Sequence, residues 1–167
     1  GFAGLNFIRN LPANTFDVTL VDKNNFNYFT PLLYQVATGF LEPSSISHPL
    51  RKLVNAKGFS FRQGELSSID SENRSIKLSD GDELQYDYLV IAAGTKTNFF
   101  GNAGMRERAF ELKEMADALA MRNAFIRVLE KASIEPDPET RKRLLTIVIA
   151  GGGPTGVEVA GMLAEMK

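Results

Sequence analysis

Apolar residues near the end of the chain form a short run that breaks into a glycine-rich turn. The run is Thr-Ile-Val-Ile-Ala at 146–150, and the turn is Gly-Gly-Gly-Pro-Thr-Gly at 151–156. A β-branched run predicts a strand, and the small and apolar residues of 157–167 predict a helix. This order of strand, glycine turn and helix is typical of the phosphate loop of a dinucleotide-binding βαβ unit.

The spacing of the glycines gives each one a separate task. Gly151 permits the tight turn, and Gly153 leaves room for a pyrophosphate to approach the backbone. Gly156 lets the helix pack closely on the strand. The free N–H groups and the positive end of that helix would face the anion. A glycine-rich turn with no ligand is the alternative, but the position between a strand and a helix favours nucleotide binding.

The start of the chain repeats part of this pattern. Gly-Phe-Ala-Gly at 1–4 has the spacing of the last four motif positions, and a helix is predicted from there to Asn10 because Pro12 ends it. Residues 16–21 predict a buried strand that Asp22 closes. An acid about 20 residues beyond the glycines accepts hydrogen bonds from ribose hydroxyls and disfavours a 2′-phosphate, which fits FAD. A simple strand-end turn is the alternative for Asp22.

The middle of the chain alternates between polar and apolar residues as β-structure does. Strands are predicted at 59–62, 65–70, 75–78 and 83–86, and Asp80-Gly81 predicts a type I′ hairpin turn. Residues 88–92 are apolar on both faces, which predicts a parallel strand covered on both sides. The small residues Ala93-Gly94-Thr95 then let the backbone pass close to a bulky group.

Helical spacing dominates the second half. Apolar residues recur over 111–132 as one stripe, and the charged, proline-containing stretch 133–143 predicts a solvated connector. Earlier, Thr30 and Pro31 predict a short helix that Gly39 ends. The aromatic residues around it fit either a core or the wall of a flat ring system. His48, beside a proline at a predicted helix start, is interpreted as a cap or surface residue.

Composition limits the classes of function. The 167 residues suit one ordinary domain, and the formal net charge of −1 argues against a nucleic-acid partner. There are no cysteines and one histidine, so neither a disulfide nor a metal centre is expected among these residues. The sequence holds no apolar run of about 18 residues of the kind that crosses a membrane.

These segments together resemble the N-terminal part of the type II NADH dehydrogenases, a group of two-dinucleotide-binding-domain flavoproteins. The matching segments are Gly-Phe-Ala-Gly-Leu at 1–5, Val-Thr-Leu-Val-Asp-Lys at 18–23, Thr-Pro-Leu-Leu-Tyr-Gln-Val-Ala-Thr-Gly at 30–39, Tyr-Asp-Tyr-Leu-Val-Ile-Ala-Ala-Gly-Thr at 86–95 and Gly-Gly-Gly-Pro-Thr-Gly-Val-Glu at 151–158. The first and last are shared by the whole superfamily, whereas 30–39 is more specific to this group.

The resemblance implies an α/β fold. It predicts a Rossmann-like FAD-binding domain, with a parallel sheet and a β-meander, followed by the start of a Rossmann-like NAD(P)H-binding domain. The expected boundaries are 1–112 for the FAD domain, 113–143 for a connecting helix and linker, and 144–167 for the first β-α unit of the second domain. In that family the motif begins one strand and one glycine before Gly1 and the enzyme continues beyond Lys167, so we expect an N-terminal fragment.

The resemblance also assigns the candidate site residues. The FAD group comprises Gly1 and Gly4 at the pyrophosphate, Asp22 at the ribose, Lys23 near the adenine, Thr30, Pro31 and Leu32 near the isoalloxazine, and Ala93, Gly94 and Thr95 beside the cofactor. The NADH group comprises Gly151, Gly153, Pro154, Thr155 and Gly156. Glu158 matches an acid that faces the nicotinamide and flavin region and is the candidate catalytic residue. The alternative for Glu158 is an acid in the first helical turn that favours the helix dipole.

The activity implied is hydride transfer from NADH to FAD, followed by electron transfer to a membrane quinone in a respiratory chain. Disulfide reductases of the superfamily use a cysteine pair at the stretch corresponding to 30–39, which has none here. The implied location is cytoplasmic and peripheral, at the inner face of a bacterial-type cell membrane, and a homodimer is allowed. The alternatives are a ferredoxin- or rubredoxin-type reductase of the same fold and an inactive nucleotide-binding fragment.

Overall fold

The computed structural model describes residues 1–12 and 15–166. The chain divides into two compact units, each built from two segments. The first unit comprises Gly1–Tyr28 and Ser47–Thr95, and the second comprises Phe29–Ile46 and Lys96–Lys167. Each unit holds one of the two glycine turns.

The described part of the first unit contains two helices and seven short strands. Its elements are α1 (Phe2–Asn10), β1 (Thr19–Asp22), β2 (Phe26–Tyr28), β3 (Ser47–Pro49), α3 (Leu50–Asn55), β4 (Ser60–Gln63), β5 (Leu66–Asp70), β6 (Ser75–Leu78) and β7 (Glu83–Gln85). Strands β1 and β4 pair in parallel, with Asp22 opposite Gln63. Strands β2 and β3 form an antiparallel pair, and β5, β6 and β7 form an antiparallel meander.

The core of the first unit explains why α1 and α3 form. Leu5 and Ile8, one helical turn apart, are buried in one cluster with Leu50, Val54, Phe59 and Phe61. Full burial of each such side chain stabilises the fold by about 1.5–3 kcal/mol. The helix α1 ends as predicted, because Leu11 is extended before Pro12.

The meander confirms a predicted hairpin but not its turn type. Strand β6 pairs with β7 in an antiparallel register, as expected from the Asp-Gly at 80–81. A type I′ turn needs a positive φ at both central residues. Gly81 has φ +97°, but Asp80 is not among the residues with positive φ, so the I′ assignment was wrong. Four residues, 79–82, connect the strands instead.

The second unit is helical. Its elements are a 3-10 turn (Thr30–Leu32), α2 (Leu33–Ala37), a 3-10 turn (Pro43–Ile46), α4 (Ala103–Arg108), α5 (Met115–Ile134), α6 (Pro138–Leu144) and α7 (Pro154–Glu165). Helix α2 packs against both α5 and α7. Val36, Ala37 and Ala118 have no exposed surface and mark the centre of this packing.

Several helix boundaries differ from the predictions. Helix α6 begins inside the predicted connector 133–143 and ends one residue past it, at Leu144; Asp137 accepts the Thr140 N–H and Pro138 occupies the first turn. Helix α5 starts at Met115 rather than Glu111, because Glu114 and Asp117 form a capping box there. Thr30 does not cap a helix, since the N-cap position is Phe29. Lys167, the end of the last predicted helix, lies outside the described residues.

Two predicted strands are not part of any sheet within the described residues. Residues 88–92 and 146–150 join no ladder. All residues of 146–150 are exposed, and in 88–92 only Leu89 and Ala92 are half-buried. Val148 is 85% exposed and Tyr88 is 82% exposed. A β-branched run becomes a strand only when a neighbouring strand supplies hydrogen bonds, and no strand among the described residues pairs with either segment.

Candidate functional site

The C-terminal glycine turn has the geometry of a phosphate loop. Gly151 has φ +112°, a conformation that side chains rarely adopt. Gly153 is the N-cap of α7 and Pro154 follows in the first turn, where its missing N–H costs no hydrogen bond. The Val157 N–H donates to the Gly153 carbonyl at 3.1 Å. The loop therefore ends at the positive pole of a 12-residue helix.

Gly156 is required by packing, not by a ligand. A Cβ at this position would lie 2.6 Å from the Gly151 carbonyl oxygen and 3.3 Å from Ile149 Cγ2. No side chain fits at 2.6 Å from a backbone oxygen. Gly156 thus lets the first turn of α7 approach the loop, as the motif spacing predicts.

The other glycines of the turn face open space. A Cβ built on Gly151, Gly152 or Gly153 would meet no atom of the described chain within 4 Å. A side chain at these positions would occupy that space, so the bare backbone leaves a cradle at a helix N-terminus. The residues present therefore fit a dinucleotide pyrophosphate.

The N-terminal glycine turn shares the open helix start but not the tight packing of Gly156. Gly1 is the exposed N-cap of α1, and a Cβ added there would meet no atom of the described chain within 4 Å. Gly4 is buried, and its Cβ would lie 3.5 Å from Ala92 Cβ, which is ordinary contact. Open space thus surrounds Gly1 at the start of α1, whereas Gly4 lies at an ordinary packing distance from Ala92.

Asp22 lies at the end of β1, where the sequence placed it. Its carboxylate Oδ1 accepts the Asn24 N–H at 2.9 Å, and its backbone carbonyl accepts the Gly64 N–H at 2.9 Å. Lys23 is exposed in the turn that follows. Ala93, Gly94 and Thr95 belong to the same unit and are exposed, with Gly94 at φ +74°.

The second unit holds the remaining candidates. Thr30, Pro31 and Leu32 form the 3-10 turn that leads into α2, and α2 packs against α7. The Thr30–Leu32 turn therefore precedes the helix that supports the glycine loop. Thr155, next to Pro154, is exposed at the start of α7.

Glu158 is exposed on α7, and its position excludes one interpretation. The first turn of α7 contains no acidic residue, because Glu158 is in the second turn. The helix-dipole effect on charges falls off within the first turn. The interpretation of Glu158 as a dipole-stabilising first-turn acid was therefore wrong.

Sequence reasoning missed Gln63. This residue ends β4 directly opposite Asp22, and its Nε2 donates to the Lys23 carbonyl at 3.2 Å. The predicted strand stopped at Arg62, one residue short. The parallel pairing of the first and fourth strands is the information that was needed, since carboxyl ends of parallel strands meet at one edge.

Within residues 1–12 and 15–166, no helix combines the length and the apolar character needed to cross a membrane.

The fold and the two glycine turns define a dinucleotide-binding α/β protein. The family model for pyridine nucleotide-disulphide oxidoreductases matches residues 1–167, the whole chain. The chain belongs to this family. Its sequence contains no cysteine, so these residues supply no redox disulfide.

Within this family, the chain is similar to several individual quinone oxidoreductases. An external alternative NAD(P)H-ubiquinone oxidoreductase B4 from Arabidopsis thaliana mitochondria is 39% identical, over 99% of this chain and 30% of the relative. A type II NADH:quinone oxidoreductase, NdhA, from Mycobacterium tuberculosis is 38% identical, over 99% of this chain and 36% of the relative. The structure of NDH2 from Plasmodium falciparum in complex with NADH superimposes with a TM-score of 0.88 at 34% identity, covering 98% of this chain and 35% of that one. The chain thus spans about a third of these relatives, between 30% and 36%.

Proposed function

We propose that this chain belongs to an FAD-dependent enzyme that oxidises NADH and reduces a membrane quinone. The observation that carries the proposal is the pair of glycine turns at helix N-termini, one in each unit, with open space at Gly1 and Gly153. When bound, FAD supplies the chemistry that accepts a hydride from NADH and releases two electrons to an acceptor.

In this proposal the first unit supplies the contacts to the adenosine and pyrophosphate of FAD. Gly1 admits the pyrophosphate to the N-terminus of α1, and Gly4, one helical turn later and beside Ala92, completes the glycine pair at the pyrophosphate. Asp22 accepts hydrogen bonds from the adenosine ribose, with Lys23 near the adenine. Ala93, Gly94 and Thr95 run beside the cofactor and present almost no side-chain bulk to it.

The second unit supplies the NADH contacts and the segment that we assign to the isoalloxazine. Gly151 and Gly153 hold the pyrophosphate against the N-terminus of α7, while Pro154 and Thr155 shape the first turn and Gly156 lets it close. Thr30, Pro31 and Leu32 border the isoalloxazine end. Glu158, one turn further along α7, acts as the proton-holding or substrate-positioning residue near the rings.

The names of the relatives favour a quinone over an iron–sulfur protein or a rubredoxin as acceptor. The Arabidopsis and Mycobacterium relatives are both quinone oxidoreductases by name. Because a quinone is dissolved in a membrane, we infer a peripheral position at a membrane surface that faces the NADH pool. The domain boundaries at residues 112 and 143 also remain our proposal.

A substitution at Gly153 tests the separation of the two nucleotide sites. Gly153→Val fills the open space that the NADH pyrophosphate needs, so we expect NADH affinity to fall by at least about 100-fold while flavin content stays unchanged. Isothermal titration with NADH and the flavin-to-protein absorbance ratio measure the two effects. Gly161→Val, in the same helix with open space around it, is the matched control.

Retention of NADH binding would exclude this assignment. If Gly153→Val binds NADH as tightly as the unaltered protein, the glycine turn at 151–156 does not hold the NADH pyrophosphate. A parallel loss of flavin would instead show that the two sites are not independent.

A further inference from the structure

The turn after β1 is fixed by hydrogen bonds to three consecutive residues. The Asp22 carbonyl accepts the Gly64 N–H at 2.9 Å, and the Lys23 carbonyl accepts the Gln63 Nε2 at 3.2 Å. The Asn24 N–H donates to Asp22 Oδ1 at 2.9 Å. The turn is therefore held from the neighbouring strand β4 as well as from within.

The Gln63 contact differs in kind from the others. The Gly64 bond extends the backbone ladder between β1 and β4, which any sequence with this fold would make. The Gln63 side chain is exposed, so water could satisfy its amide. Instead, the amide Nε2 donates a hydrogen bond to the Lys23 carbonyl. The Gln63 contact thus depends on the identity of its side chain, whereas the Gly64 bond depends only on the backbone.

The Gln63 contact bears on the Asp22 carboxylate. The Oδ1 atom of Asp22 accepts a hydrogen bond from the Asn24 N–H, whereas its Oδ2 atom makes no hydrogen bond within the described part of the chain. Movement of the Lys23 carbonyl would rotate the peptide that carries the Asn24 N–H. Loss of the Gln63 contact would therefore loosen the orientation of Asp22.

We propose that Gln63 is a positioning residue that fixes the Lys23 carbonyl and so presents the free carboxylate oxygen of Asp22 to a vicinal ribose diol. The inference rests on the proposed function, in which the diol is that of the FAD adenosine. Gln63 acts through Asp22 and touches no part of the cofactor in this proposal.

A double-mutant cycle on FAD affinity tests the inference. The variants are Gln63→Met, which keeps the length of the side chain and removes the donor, Asp22→Ala, and the double variant. Titration of each purified apoprotein with FAD, followed by flavin fluorescence, gives the dissociation constants. Gln85→Met, an exposed glutamine at the end of β7 in the separate meander, is the matched control.

The cycle has a specific expected result. Gln63→Met weakens FAD binding by about 3- to 10-fold, the size of one hydrogen bond, and Asp22→Ala by about 10- to 100-fold. In the Asp22→Ala background, Gln63→Met has no further effect, because it acts only through the missing carboxylate. Gln85→Met leaves FAD affinity unchanged, and thermal unfolding of the apoprotein changes little for Gln63→Met, whose original side chain is exposed.

Other results distinguish the role of Gln63 from the FAD site itself. If the Gln63 and Asp22 effects multiply in the double variant, or if Gln63→Met binds FAD normally while Asp22→Ala does not, Gln63 does not position Asp22 and the proposed FAD site survives. If the unaltered protein binds no FAD, or if Asp22→Ala binds it normally, the site assignment fails and the inference fails with it.

Discussion

Two glycines of the same motif are needed for opposite reasons. Gly156 is fixed by the protein, because its Cβ would lie 2.6 Å from the Gly151 carbonyl oxygen. Gly153 has open space around it, so only a ligand would require the absence of a side chain there. Glycine is therefore needed for packing at position 156, whereas at position 153 it is needed only if a ligand binds there.

The packing requirement gives a stability prediction at the residue scale. Gly156→Ala forces α7 away from the glycine loop, so we expect the free energy of unfolding to fall by about 1–3 kcal/mol. Gly161→Ala lies in the same helix with nothing within 4 Å, and should stabilise by up to about 1 kcal/mol. Urea unfolding of both variants measures the difference. Equal stability of the two would mean that α7 does not approach the loop closely.

Glu158 gives a prediction about chemistry. Since α7 has no acid in its first turn, Glu158 has no dipole role there, and we propose that it supplies protons or positions substrate. Glu158→Gln should lower quinone reductase turnover by about 10- to 100-fold and leave FAD content unchanged. Glu165→Gln, at the exposed end of the same helix, serves as control. Unchanged turnover of Glu158→Gln at saturating NADH would remove Glu158 from the mechanism.

At the scale of elements, local pattern predicted helices and hairpins better than sheet pairing. Helix α1, strand β6 and most of α7 follow from spacing, glycines and prolines that act within a few residues. Helix α6 was missed because its charged surface contains no apolar stripe, although Asp137 and Pro138 are a standard helix start.

Sheet membership could not be predicted in the same way. The segments 88–92 and 146–150 have the composition of buried strands, yet neither has a ladder partner in the described residues. Pairing depends on distant segments, so composition alone cannot settle it. The candidate site could not be fully predicted for the same reason. Gln63 lies opposite Asp22 because of the β1–β4 register, which depends on two distant segments.

An ion-pair cluster links β4 to the β6–β7 hairpin loop. The Arg62 guanidinium contacts Asp80 at 2.6 Å and also contacts Asp82. The hydrogen bond from Arg62, aided by the Asp82 N–H, lowers the pKa of Asp80 below its ordinary value. Asp80 therefore stabilises the folded state fully above the ordinary pKa of aspartate, and this contribution is lost as pH falls through the lowered pKa.

Removal of the guanidinium should reverse that shift. In Arg62→Met the pKa of Asp80 should rise toward the ordinary aspartate value, and unfolding should become less steeply dependent on pH under acidic conditions. An NMR pH titration of the Asp80 carboxyl carbon measures the pKa directly. Arg127→Met, on the exposed surface of α5, is the control. An identical Asp80 pKa in wild type and Arg62→Met would show that the ion pair has no electrostatic effect.

At the scale of the whole molecule, each compact unit holds one dinucleotide-type glycine turn. The family match over residues 1–167 agrees with this arrangement. The mostly exposed apolar segments 88–92 and 147–150 join no sheet within the described residues and are suited to pair with other strands. Since the chain spans 30% of the Arabidopsis relative, the complete catalytic cycle is a property we propose for the whole enzyme.

The most direct test of this account is the flavin absorbance of the purified protein at its full natural length, before and after anaerobic addition of NADH. We expect a yellow protein whose oxidised-flavin absorbance disappears with NADH and returns when a soluble quinone is added. A protein that stays colourless after incubation with FAD, or whose flavin absorbance persists in excess NADH, would contradict the account.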